Sequence, residues 1–269
     1  MFQYFKQKLH SSAMEAETIK NAASPKSQMS RRNFLNYLPI VPLAVSAAFT
    51  SCGGGGGIGK SSGKIKMTTE QDDDFSFYLG GSGTATVDWG DGSEKVTLTL
   101  NANEFNPFQT EFRHTYPNAT IRTITINGDN ITGLYSRDIV TSLDVSHCVE
   151  LTNLSWHSSK IASLDLSKNT ALTYLSVHNS RLTSLDVSKN IALTYLNVMG
   201  GQLTSLDVSK NTALTLLDIR GNQLTTSTLN ALFGTLHNNA GEKYINIFDK
   251  PETSDCDRSI AERKGWRVQ

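Results

Sequence analysis

The sequence predicts a mainly β protein: a β-sandwich module, then a solenoid of short coils, then a small α/β cap. Three observations predict this. Between residues 64 and 129, short runs rich in β-branched residues are separated by glycine or Asn-Asp turns. Between residues 130 and 225, a Ser-Leu-Asp-Val tetrad or a near copy returns every 21 residues. Between residues 226 and 269, an apolar helical period precedes two short extended runs.

Composition limits the functions available. The 269 residues include 25 basic and 25 acidic side chains, and 38% are apolar. That share supports a folded core, and the balanced charge without a basic cluster in the body gives nucleic acid no footprint. Three cysteines are too few for a disulfide scaffold.

The N-terminal residues carry an address. Arg31 and Arg32 lead into an apolar stretch from Phe34 to Phe49, then small residues and Cys52, the order of an export signal. The stretch is about 16 residues long, broken by Asn36, Pro39 and Pro42, and is short for a membrane-crossing helix. Phe49-Thr50-Ser51-Cys52 resembles a bacterial lipobox, with Phe49 in place of the usual Leu. The resemblance implies that Cys52 is lipidated and becomes the mature N-terminus. It places the protein in the bacterial cell envelope, on the outer membrane, the surface or the periplasmic face. Residues 29–51 are then the lipoprotein signal peptide, and residues 1–28 an extension ahead of a natural start at Met29. Ser30-Arg31-Arg32-Asn33-Phe34-Leu35 also resembles the twin-arginine export signature, and a general-secretion route fits as well. Residues 52–63 form a Gly-rich tether. Gly54–Ser61 matches the phosphate-loop pattern, but no strand precedes it and no helix follows, as such a loop requires.

In the first module, residues 64–129, strands are expected at Lys64–Thr69, Phe75–Leu79, Thr84–Trp89, Lys95–Leu100 and Thr120–Ile126. In the last of these, Ile121, Thr123 and Thr125 oppose Arg122 and its partners, which suggests burial on both faces in part. Trp89-Gly90-Asp91-Gly92-Ser93 gives a tight turn, because its glycines take positive φ. That turn, with the later His114-Thr115-Tyr116, resembles the hallmark of a PKD-type β-sandwich. The loop Asn101–Glu111 is longer than such a sandwich needs. Asp88, Asp91 and Asp72–Asp74 lack the alternating spacing of a calcium loop and read as turn caps and a solvated loop.

The repeats are the strongest signal. The tetrads begin at Ser142, Ser163, Ser184 and Ser205, and Leu-x-x-Leu-x-apolar segments begin at Leu151, Leu172, Leu193 and Leu214. The pattern resembles the short leucine-rich repeats of internalin-like and other bacterial surface proteins. In each segment the Leu and Val side chains point into the coil and the residues between them point out. Twenty-one residues leave no room for a helix on the second wall. Asn169, Asn190 and Asn211 recur at one position, held by Cys148 in the first coil. The resemblance implies that these side chains turn inward and satisfy backbone groups at the bend. Ile131–Val140 looks like an incomplete first coil, one residue short.

In the cap, 226–269, Leu229, Leu232, Phe233 and Leu236 predict a helix over Thr228–His237, capped by Thr226 or Ser227. A strand at Tyr244–Phe248, a short helix at Asp255–Arg263 and a strand at Trp266–Val268 follow. Cys148 and Cys256 stand roughly 20 Å apart at about 4.8 Å per coil, beyond disulfide reach, and read as reduced core residues.

No enzyme motif is present, which points away from catalysis, and no cofactor is expected. The Asp144, Asp165, Asp186 and Asp207 column reads as structural, offset by Lys168, Lys189 and Lys210. His157 and His178 fall in one column within about 5 Å, without a third ligand in register for a metal. The side chains expected to point outward on the concave wall differ from coil to coil. They are Asn153, Ser155 and His157; Tyr174, Ser176 and His178; Tyr195, Asn197 and Met199; and Leu216, Asp218 and Arg220. Of these, Asn153, His157, Tyr174, His178, Tyr195, Asn197, Met199, Asp218 and Arg220 are the candidate ligand-binding residues, since Tyr and Arg concentrate interface energy. The expected function is a membrane-anchored recognition or adhesion module for a protein or carbohydrate ligand. A structural or spacer lipoprotein is the alternative.

Overall fold

The computed structural model describes residues 62–101, 107–157, 159–247 and 254–269. Cys52, the signal segment and the tether up to Ser61 lie outside the described residues. So do the centre of the 101–111 loop and Phe248.

Alternation builds the strands of the first module: β1 (Ser62–Thr69), β2 (Asp73–Gly81), β3 (Thr84–Asp88), β4 (Val96–Thr99), β5 (Thr110–Tyr116) and β6 (Arg122–Asp129). In β2 the side chains of Phe75, Phe77 and Leu79 are buried while those between them are partly exposed, the period-2 pattern of a one-sided strand. β5 falls where the sequence suggested a loop followed by a motif. Its burial alternates through Thr110, Phe112 and Tyr116. In β6, burial is one-sided rather than two-sided: Arg122, Ile124 and Ile126 point inward, and Ile121 just before the strand is 78% exposed. Arg122 is tolerated inside because its guanidinium lies over the Tyr116 ring and donates to the Thr120 carbonyl.

The turn after β3 is fixed by side chains. The Asp91 carboxylate accepts from the Ser93 amide and hydroxyl and bonds the His114 ring, whose plane stacks on Trp89. The Ser93 hydroxyl is the foremost cause holding the Asp91 carboxyl well below the usual carboxylate range. Gly90 has φ +76° and packs so closely that a Cβ would meet the Thr123 carbonyl oxygen at 2.4 Å. Asp74 does not belong to a solvated loop. It sits in β2 and pairs with Arg113 and Thr115 of β5.

The repeats supply β7 (Ile131–Ser136), β8 (Ser142–Asp144), β9 (Asn153–His157), β10 (Tyr174–His178), β11 (Tyr195–Asn197) and β12 (Leu216–Asp218). Strands β7, β9, β10, β11 and β12 are parallel, with Leu134, Leu154, Leu175, Leu196 and Leu217 in one buried row. This is a leucine-rich-repeat fold. The second wall has no helix among the described residues, and only its first tetrad forms a strand, β8. In every coil the tetrad Asp makes a turn, Asp144 included. Asp165, Asp186 and Asp207 each accept from the amide of the Ser two residues on, which is the foremost cause lowering their carboxyl pKa. Beside these turns, Asn190 Nδ2 donates to the Leu166 and Asn169 carbonyls of the coil before, and Asn169 and Asn211 repeat the pattern. A second ladder escaped sequence reading. Thr152, Thr173, Thr194 and Thr215 each pass a hydroxyl hydrogen bond to the Thr carbonyl of the preceding coil.

The first module and the repeats share sheets and core, so the boundary at 129/130 separates no independent bodies. One sheet runs β4–β3–β6–β1–β8, with the first tetrad pairing antiparallel to β1. The other runs through nine strands, with β5 and β2 at one end pairing onto β7. The junction is closed by polar bonds. Asp138 accepts from the Ser76 amide at 2.6 Å, Ser136 Oγ donates to the Ser76 carbonyl, and Thr69 Oγ1 donates to the Ile139 carbonyl. Residues from Ile65 to Trp266 form one apolar core.

The cap prolongs the same sheet. Strands β13 (Lys243–Asn246) and β14 (Trp266–Val268) add parallel to β12. Helix α1 (Thr226–Thr235) starts two residues earlier than expected, because Thr225 caps it: its hydroxyl accepts from the Thr228 amide. Leu229, Leu232, Phe233 and Leu236 are buried, as the spacing predicts. Helix α2 (Ser259–Glu262) precedes β14. Cys148 and Cys256 are both buried and are not bonded to each other.

Candidate functional site

The parallel strands place the residues between the core leucines in three columns on one wall. Pairing aligns Asn153, Tyr174, Tyr195, Leu216 and Tyr244 in the first. It aligns Tyr135, Ser155, Ser176, Asn197, Asp218 and Asn246 in the second. The third begins with the paired His157 and His178 and continues, past the strand ends, through Met199 and Arg220.

The second column does not stand out in solvent. Ser155, Ser176, Asn197 and Asp218 are only 2%, 1%, 5% and 3% exposed. Their side chains lie down and brace the flanking columns. Ser155 and Ser176 hydrogen-bond the Nε2 atoms of His157 and His178, at 3.3 and 2.7 Å. Asn197 donates to the Tyr195 hydroxyl and accepts from the Met199 amide. Asp218 takes three bonds from the Arg220 guanidinium, one from the Arg220 amide and one from Asn246. Asn197 and Asp218 therefore position their neighbours rather than face a ligand themselves.

Tyr174 also departs from expectation. It was read as solvent-facing and is 9% exposed. Its ring stacks on Tyr195 at 4.4 Å with a 7° interplanar angle. Flat side chains at the same position of adjacent parallel strands are held near the strand spacing, so they close on each other. Burial is the foremost cause pushing the Tyr174 hydroxyl up. Asn153, His157, His178, Tyr195, Met199 and Arg220 remain partly exposed on the wall.

The two imidazoles come together as the register predicts, with centroids 4.3 Å apart. His157 is brought down to about 4 by burial, then by His178 and Arg137. His178 is lowered foremost by burial, with Asp218 opposing and Arg220 and Arg137 adding to the effect. Both shifts favour the neutral imidazole. Among the described residues no group of three or more His, Cys, Asp or Glu is placed to hold a metal ion.

Sequence reading missed Tyr135 and Arg137. Tyr135 lies in register with Ser155, its ring edge meets His157 at 5.7 Å, and Arg137 Nε donates to its hydroxyl. The signal was the one-residue shortfall of the first coil, which hides the alignment of Leu134 with Leu154. At this end of the wall the residues just before β5 approach it: Phe108 packs on Tyr135, and a Cβ on Gly133 would meet the Pro107 carbonyl at 2.3 Å.

No family model matches the chain, and no curated protein does. Among solved structures, the functional domain of InlJ from Listeria monocytogenes, which includes a cysteine ladder, is similar at 28% identity and a TM-score of 0.35. That match covers 45% of this chain and 28% of that one. An internalin, inlF, from Listeria monocytogenes is similar at 17% identity and a TM-score of 0.31, over 42% of each chain. The chain thus spans under half the length of either. The repeat fold rests on the ladders and rows described above.

Proposed function

We propose that the protein is a recognition module that binds a protein partner through the strand wall. The observation that carries this is the bracing column. It holds unlike side chains of successive coils in one fixed array, and preorganised side chains cost less entropy on binding. The Ser–His pairs on this wall, Ser155 with His157 and Ser176 with His178, have their serines buried away from any substrate, which favours binding over catalysis. A carbohydrate ligand is less well served, because the faces of Tyr174 and Tyr195 are turned to each other and a sugar ring needs an open face. Tyr195, partly exposed beside Met199 and Arg220, suits a protein surface.

The test is a Tyr195→Glu, Met199→Glu double variant in a binding screen against purified envelope and extracellular proteins, with a glycan array in parallel. Binding falls at least tenfold in the variant, and Lys189→Glu in the tetrad turns leaves it unchanged. Full binding by a folded double variant moves the site off this wall.

The first module reads as a PKD-like sandwich that closes the repeats, and the lipobox-like Phe49–Cys52 supports anchoring to the envelope through a lipid on Cys52. Cys52→Ala releases the protein from the membrane fraction with its melting curve unchanged; retention in the membrane refutes the anchor.

A further inference from the structure

We propose that His157, His178 and Met199 form a binding site for a soft monovalent metal ion, Cu(I), on the strand wall. The site goes beyond the docking role and does not depend on it.

Register brings the three side chains together. His157 and His178 are paired across β9 and β10. The ladder runs on past the end of β10, because the Asn179 amide donates to the Met199 carbonyl at 2.9 Å and the Gly200 amide to the Arg220 carbonyl at 2.8 Å. Met199 therefore stands opposite His178, one strand spacing of about 4.8 Å away. The two imidazole centroids are 4.3 Å apart. An imidazole nitrogen bonds a metal at about 2.0 Å, so two that share an ion lie at most about 4 Å apart. The wall holds no third nitrogen or carboxylate for such an ion, but it does hold a thioether in the next coil.

The rings are held in the tautomer a metal needs. Ser155 and Ser176 bond Nε2 of His157 and His178, and neither Nδ1 has a hydrogen-bond partner among the described residues. Ser176 also bonds the Tyr174 hydroxyl. A serine has one proton to give. With that proton directed to Tyr174, its oxygen accepts from the His178 Nε2–H, and Nδ1 keeps a free lone pair. Both serines are buried, so each imidazole is oriented by a fixed partner, as metal-ligating histidines are.

Softness and charge select the ion. Two imidazoles and a thioether form a neutral set, and a thioether favours Cu(I) over the hard cations that seek carboxylates. The carboxylate that acts on His178, Asp218, is held by Arg220 and Asn246. Arg137 and Arg220 also act on His178, so the second charge of a divalent ion meets repulsion that nothing in the set offsets. Zinc further wants a fourth ligand, whereas three neutral donors are enough for a soft monovalent ion.

The experiment uses the full chain with Cys52→Ala, so that this thiol cannot compete. Cu(I) is titrated anaerobically against bathocuproine disulfonate, and Zn(II) against a zinc-chelating dye. The chain binds Cu(I) at least about a hundredfold tighter than Zn(II), and X-ray absorption finds nitrogen and sulfur around the copper. Met199→Leu, close in volume, weakens Cu(I) binding at least about tenfold. Met199→His replaces the thioether with a third imidazole and tightens Zn(II) binding at least about tenfold, a gain that an unfolded chain cannot give. His178→Gln loses both metals. No Cu(I) held against the competitor, unchanged Cu(I) affinity in Met199→Leu, or Zn(II) bound as tightly as Cu(I) before Met199 is replaced overturns the proposal.

Discussion

Trp156→Ala lowers the unfolding free energy by about 3–5 kcal/mol, the range for removing a large buried aromatic. Trp156 stands where other coils carry Val177, Val198 and Ile219, and it is fully buried. Its indole fills the seam between the first complete coil and the incomplete coil before it, and its Nε1 donates to the Asp138 carbonyl at 2.9 Å. Truncation leaves both a cavity and an unpaired buried carbonyl. Urea unfolding followed by circular dichroism measures this as a lower midpoint with an unchanged slope. Trp156→Phe, which keeps the ring and loses the donor, falls between. A loss below about 1 kcal/mol for the Ala variant would mean that the seam is not packed as described.

Removing the first module has a larger effect: a chain of residues 130–269 does not fold cooperatively. Strand β7 loses β2, and β8 loses β1, so two pairing edges open at once. Leu134, Val140, Leu143 and Cys148, buried in the intact chain, face water. The longer chain 57–269 unfolds in one transition, by circular dichroism and by tryptophan fluorescence alike. A single sharp melt from residues 130–269 alone would show that the repeats cap themselves and that the shared sheet is incidental.

The parts legible in the sequence were those set by local period. Leu154, Leu175, Leu196 and Leu217 could be placed in one row because a 21-residue repeat leaves the register no freedom. The cap helix followed from the spacing of four apolar residues, but it lies two residues earlier at both ends, its start being set by Thr225, which competes with Thr226 and Ser227 for the cap. The joining of β2 and β5 to the repeat sheet was illegible. Antiparallel pairing between Phe77 and Ser136 links residues far apart in the chain, and nothing in either segment's alternation names its partner. At the candidate site the column assignment followed from the period, but exposure did not. Whether Ser176 or Tyr174 reaches solvent depends on what its neighbours along the strand and in the next coil do. His178 and Tyr195 cover them, by a hydrogen bond and by stacking.

The Asn ladder gives the molecule a direction. Each side-chain amide reaches back to carbonyls of the coil before it and none reaches forward, so in this ladder a coil leans on its predecessor and not on its successor. The first rung shows the same logic in reduced form: Cys148, with no complete coil behind it, offers its thiol to the Lys64 carbonyl of β1 instead. Assembly therefore has a seed and a growing end. The seed is the first module, and it is also the part of the chain that emerges first. Every later turn finds its template finished, and a block of 21 residues inserted between Asn169 and Asn190 would find its own template ready as well.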